Sequence, residues 1–163
     1  MHKGFTLIET IIYLALFSVL MTGALVAAYN LLEGEQRMQT RAMVQEEGNF
    51  ILGKFERTML GASSIDEPIA NTTGTTLRVT KSDGGTVTLE RRGTSVRIDT
   101  GSGPQPLTGE DVRVMNMLFS HTLAKGSDIV PEEVQVSFEV ETLTPNGMRV
   151  SERFPTTTIA LRK

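Results

Sequence analysis

Between Phe5 and Leu32 the chain holds one carboxylate, Glu9, and no Asp, Lys or Arg. An acid in so apolar a run has one kind of chemistry open to it: pairing with a cation. At 1.5 Å per residue the run makes an apolar helix about 42 Å long, more than the roughly 30 Å of a bilayer's hydrocarbon core. Placing an acid in such a span costs about 2.5 to 3.5 kcal/mol on insertion scales, so a partner for Glu9 is required. Only Met1, His2, Lys3 and Gly4 precede the run. A secretory signal has an apolar core of about 7 to 15 residues and a small-residue cleavage site after it. Here the core is about twice that length, and Tyr29-Asn30-Leu31-Leu32-Glu33 offers no such exit. A plain signal anchor accounts for the length and for Lys3, but not for Glu9.

Elsewhere, residues able to do chemistry are sparse. The second histidine, His121, stands beside Ser120, and a Ser-His pair adjacent in sequence is not a triad; a bland surface histidine is expected. Asp99-Thr100-Gly101 is a single short match to an aspartic-protease triplet without its hydrophobic strands. No P-loop, G-x-S-x-G or H-E-x-x-H is present. Three acid pairs, Asp66-Glu67, Glu110-Asp111 and Glu132-Glu133, could offer oxygens to calcium but lack EF-hand spacing. Neither an enzyme nor a cofactor or metal site is expected. Arg78, Lys81, Arg91, Arg92 and Arg97 could share a solvent face and contact DNA phosphates. Glu90, Asp83 and Asp99 are interleaved with them and no aromatic accompanies them for base stacking, so a salt-bridged sheet face is the better reading. The whole chain carries 16 basic and 19 acidic residues, a net charge of −3, which does not favour non-specific phosphate binding.

Gly4-Phe5-Thr6-Leu7-Ile8-Glu9, after a short basic leader and before an uninterrupted apolar helix, resembles the class III signal of type IV pilins and type II secretion pseudopilins. The resemblance implies that a prepilin peptidase on the cytoplasmic face cuts between Gly4 and Phe5, then methylates the Phe5 amine. It also implies that the mature subunit assembles with other pilins or pseudopilins through an inner-membrane platform. Once the leader is removed, Phe5 is a cationic amine one turn from Glu9. That carboxylate can pair with its own Phe5, since residues four apart share a helix face, or with the Phe5 of a neighbouring subunit, which would set axial register. Lys3 stays cytoplasmic by the positive-inside rule and the head, from Glu33, faces the periplasm or the exterior.

The elements that position these residues follow from patterning. Val44, Gly48, Ile51, Leu52, Phe55 and Met59 recur at helical spacing with Glu46, Glu47, Lys54 and Arg57 opposite, so the helix is predicted to continue to about Leu60. Gly61-Ala62-Ser63-Ser64 stops it. Leu77 and Val79, Val87 and Leu89, and Val96 and Ile98 mark a three-strand meander, with turns at 81–85 and 91–94. Residues 99–109 read as a surface loop. Val112 to Phe119 reads as a strand with broken alternation at Met115-Asn116-Met117-Leu118, and Val134, Val136, Phe138 and Val140 mark the clearest strand. Thr144-Pro145-Asn146-Gly147 turns the chain into Met148 to Phe154, and Pro155 predicts an edge strand or a bulge that flips the facing register.

The expected fold class is α+β, a long apolar helix packed on a mostly antiparallel sheet. It divides into a leader at 1–4, a membrane and filament-core helix at 5–32, a continuing helix at 33–60 and a β-rich head at 61–163. Phe55 to Ala62, Pro106-Leu107-Thr108, Leu118-Phe119 and the terminus from Thr157 resemble J-type minor pseudopilins and W-like minor pilins. With no cysteine, the chain departs from major pilins that carry a C-terminal disulfide loop. The expected role is that of a minor subunit in the tip or initiation complex of a pilus or pseudopilus. A DNA-binding minor pilin for uptake and a major pilin are the alternatives.

Overall fold

A computed structural model describes residues 6–123 and 132–161. The leader, Phe5 and Arg162 lie outside the described residues. By internal contacts the chain forms two units, Met1–Gln39 and Thr40–Lys163. A single helix, α1, spans Leu7–Leu60, ending at the glycine where the sequence predicts a stop. In the first unit the apolar run is uncovered: an 18-residue window of it is 0% buried.

In the second unit α1 forms one side of a core. Thr40, Val44, Gly48, Ile51, Phe55, Thr58 and Met59 are buried, the helical stripe that the spacing predicts with Thr40 and Thr58 added. Leu52 is only partly covered. The head's strands, all antiparallel, divide into two sheets. One has the order β1-β3-β4-β5-β6, from β1 (Ala62–Glu67), β3 (Thr76–Lys81), β4 (Thr86–Arg92), β5 (Ser95–Asp99) and β6 (Gln105–Pro106). The other has the order β2-β7-β8-β9, from β2 (Thr72–Gly74), β7 (Val112–Thr122), β8 (Glu133–Leu143) and β9 (Arg149–Ala160). Three short strands, β1, β2 and β6, were not anticipated. They are short and mostly polar, with no alternation to mark them, and pairing to β3, β7 and β5 places them. Residues 99–109 are therefore not loop throughout.

The broken alternation of β7 has a specific cause. Met115 pairs with Glu139 and Leu118 with Ser137, so two residues of β7 face one of β8, and Asn116 adopts φ 52°. This bulge shifts the inward side chains from Val112 and Val114 to Met117, Phe119 and His121. Pro155 does the same to β9, the edge strand: Val136 pairs with Thr157 and Phe138 with Phe154. The covered side then changes from Phe154 to Leu161, as the proline predicts.

His121 is consequently buried, at 3% exposure, which corrects the expectation of a surface histidine. Alternation counted from Val112 points residue 121 outward; the bulge turns it in. Its Nδ1 lies 2.8 Å from the Pro68 carbonyl oxygen, an acceptor, so Nδ1 carries the proton and donates. Nε2 lies 3.6 Å from a Glu132 carboxylate oxygen. The Asn71 amide donates to the His121 carbonyl at 2.8 Å, and the Leu161 amide to that of Glu132 at 2.7 Å. The imidazole thus ties the connection between the two sheets to the β7–β8 end of the second.

The helix meets the second sheet through aromatic rings. Phe55 lies 6.1 Å from Phe119 between centroids, and Phe154 stacks on Phe138 at 4.9 Å. On its helix side the Phe154 ring occupies the place where a Cβ at Gly48 would stand. Gly109 donates to Glu47 at 3.1 Å, and Arg41 reaches Glu152 at 3.4 Å, a surface pair of little weight. Leu77, Val79, Val87, Leu89 and Val96 of the first sheet join the same core.

Three substitutions test this packing. Helix propensity alone favours Ala over Gly by about 1 kcal/mol, yet Gly48→Ala will destabilise the head by about 1 to 3 kcal/mol through overlap with the Phe154 ring. Gly53→Ala, with open space around it, will be neutral or stabilising. Urea unfolding of the detergent-solubilised chain, followed by circular dichroism, checks the opposite signs. His121→Ala will cost about 2 to 4 kcal/mol in the same assay, from the cavity and the orphaned Pro68 carbonyl, where a surface position would give about 0.5 or less.

Candidate assembly site

The first turn of α1 is built by four side chains. Thr6 precedes Leu7, the first helical residue, and its Oγ1 accepts the Glu9 amide at 3.4 Å. A threonine at the N-cap and a glutamate three residues later form the S/T-x-x-E signature of a capping box. The backbone of Thr10 continues the turn, its amide donating to the Thr6 carbonyl at 3.2 Å and its hydroxyl to the same oxygen at 3.3 Å. Glu9 stands in the first turn, where the positive end of the helix dipole favours an anion. One turn further on, the Tyr13 hydroxyl donates to Glu9 Oε1 at 3.2 Å.

This arrangement answers part of the demand that the sequence raises. Glu9 is not an isolated acid: its amide is capped by Thr6 and its carboxyl is held by Tyr13. The sequence reading missed both. The capping signature is legible in Thr6-Leu7-Ile8-Glu9, and so is a hydroxyl four residues from Glu9. Gly4 and Phe5, with the bond between them, lie outside the described residues, so their geometry is not part of this site.

Around the turn the surface is apolar. Leu7, Ile8, Ile11, Ile12, Leu14, Leu16 and Phe17 are each more than half exposed, and Thr10, Tyr13, Leu14 and Phe17 line one open concavity. Continuous apolar exposure on this scale calls for lipid or protein cover.

The remaining candidates are placed as follows. Strand alternation puts Arg78, Arg92 and Arg97 on the outer face of the first sheet, with Glu90 opposite Arg97 and Asp99 beside Thr88. Lys81 and Arg91 fall on the other face, in the parity of Val79 and Leu89, so the five cations do not form one patch. Arg78 pairs with Glu67 at 3.3 Å, and Arg91 donates to the Gly93 carbonyl at 2.8 Å. Asp99 accepts the amides of Gly101 and Gly103 at 2.8 and 3.0 Å. It therefore shapes a turn in which both glycines have positive φ. Asp66 accepts from Ser64 and Thr80. Among the described residues no group of three or more His, Asp or Glu is placed to hold a metal ion.

Comparison with known proteins adds one finding. Residues 1–25 match the model of the prokaryotic N-terminal methylation motif. No curated protein and no solved structure matches the chain. The matched stretch contains the leader, Thr6, Glu9 and Tyr13, and runs into the helix long and apolar enough to cross a membrane. The capped helix start and the acid in its first turn lie inside that match, so the chain carries the prokaryotic N-terminal methylation motif, the class III signal.

Proposed function

We propose that this chain is a minor pilin or pseudopilin, a structural subunit that enters a type IV pilus-like filament or a type II secretion pseudopilus through α1. The observation that carries the reading is the methylation motif on a helix whose apolar first half is uncovered and holds one acid, Glu9. A prepilin peptidase removes Met1 to Gly4 and methylates Phe5. The helix spans the inner membrane with its N-terminus cytoplasmic, holds the head outside, and is then extracted into the filament beside other subunits. There Glu9 pairs with the Phe5 amine of a neighbour.

A place in the tip or initiation complex is supported by likeness to minor subunits in the carboxy half and by a head of modest size without cysteine. DNA binding loses support from the division of the arginines between two sheet faces and from the Arg78–Glu67 pair.

Intact mass with N-terminal fragmentation, on protein recovered from its native membrane, will show loss of Met1 to Gly4 and one methyl on Phe5. An uncut Met1 terminus in cells that possess the peptidase would end the proposal. Glu9→Leu will still be cut but will fall at least tenfold in the sheared filament fraction, since breaking a buried pair costs about 3 to 5 kcal/mol.

A further inference from the structure

An acid in a membrane helix needs a partner before any filament exists. While the subunit waits in lipid no neighbouring amine is in place, and a buried polar group without a partner is costly. The structure supplies a donor within the same helix. Tyr13 lies four residues from Glu9, on the same helix face, and its hydroxyl is 3.2 Å from Glu9 Oε1. Thr6 meets Glu9 at the backbone instead, its Oγ1 accepting the Glu9 amide at 3.4 Å. Tyr13 is 53% exposed.

We infer that Tyr13 is a positioning residue for Glu9: its hydroxyl holds the carboxyl in the unassembled, membrane-inserted subunit and is exchanged for a cation offered by a neighbouring subunit on assembly. This rests on the membrane and assembly reading above. The exchange has a consequence of definite sign. A bond made in the waiting state and given up in the filament holds the subunit back, so its removal favours incorporation. If the Tyr13 ring were instead a packing contact of the filament, substituting it would disfavour incorporation or leave it unchanged.

The test uses the full chain, with two readouts. In lipid nanodiscs at fixed pH, Tyr13→Phe will move the side-chain carboxyl 13C resonance of Glu9, whereas Tyr29→Phe, the same change further along the helix, will not. An unmoved resonance in Tyr13→Phe overturns the inference. In cells co-expressing wild type and variant, Tyr13→Phe will be enriched about threefold in sheared filaments relative to the membrane pool, the worth of one hydrogen bond in a membrane helix. An equal or lower ratio overturns the exchange. Glu9→Leu, carried in parallel, separates the two readings. If it enters filaments as well as wild type, the assembly role of Glu9 falls and the exchange with it, whatever the nanodisc spectrum shows.

Discussion

The fit of the Phe154 ring against Gly48 is the contact on which the head depends. A helix that carried a side chain at position 48 would be pushed off the sheet, and the rows on either side of it would lose their register with the strands. With glycine there, the ring sits against bare helix backbone and stacks on Phe138 of the neighbouring strand. One turn or two along, Ile51 and Phe55 continue the same seam, and Phe55 meets Phe119. Glycine weakens a helix interior by about 1 kcal/mol. The stacked, buried aromatic pair it admits, worth about 0.5 to 1.5 kcal/mol beyond its area, together with the burial of Phe154 itself, outweighs that cost.

The second sheet is organised around β8, whose residues alternate without interruption from Val134 to Val140. Both its neighbours bulge at the same level, β7 at Asn116 and Met117 opposite Phe138, and β9 at Pro155 and Thr156 opposite Ser137. Each bulge exchanges the side of the strand that faces the core. Below the bulges Val112, Val114 and Phe154 point inward; above them Met117, Phe119, His121 and Leu161 do. A sheet with matched bulges on both flanks of one straight strand gains twist while keeping every inward position filled. His121 is the polar product of that exchange, and its bond to the Pro68 carbonyl joins the link between the sheets to the core.

The N-terminal unit follows a different logic. Its helix has no core to join, and its apolar surface is open along the whole first half. What order it has beyond backbone hydrogen bonds is local: the Thr6 cap, the Tyr13 bond to Glu9, the Ser18 and Thr22 hydroxyls returned to carbonyls within the helix, and the Glu33–Arg37 pair one turn apart. Those between Thr6 and Thr22 satisfy polar groups inside the apolar segment, as a helix lying in hydrocarbon requires.

By itself the sequence determined what local periodicity and composition can determine. The apolar run and its one acid, the helical stripe from Val44 to Met59, the three-strand meander, the alternation of β8 and the proline bulge of β9 were all legible, because each is set by side chains near one another in the chain. The class III signal was legible for the same reason, being one contiguous motif. Only the tertiary structure decided the rest. Short strands such as β2 exist through partners some 50 residues away, and the division into two sheets follows from that pairing. The inward turn of His121 depends on a bulge five residues before it, and the separation of Arg91 and Lys81 from the other cations depends on strand register. The need for glycine at 48 could not be read from the helix, since its cause is a phenylalanine more than a hundred residues further along.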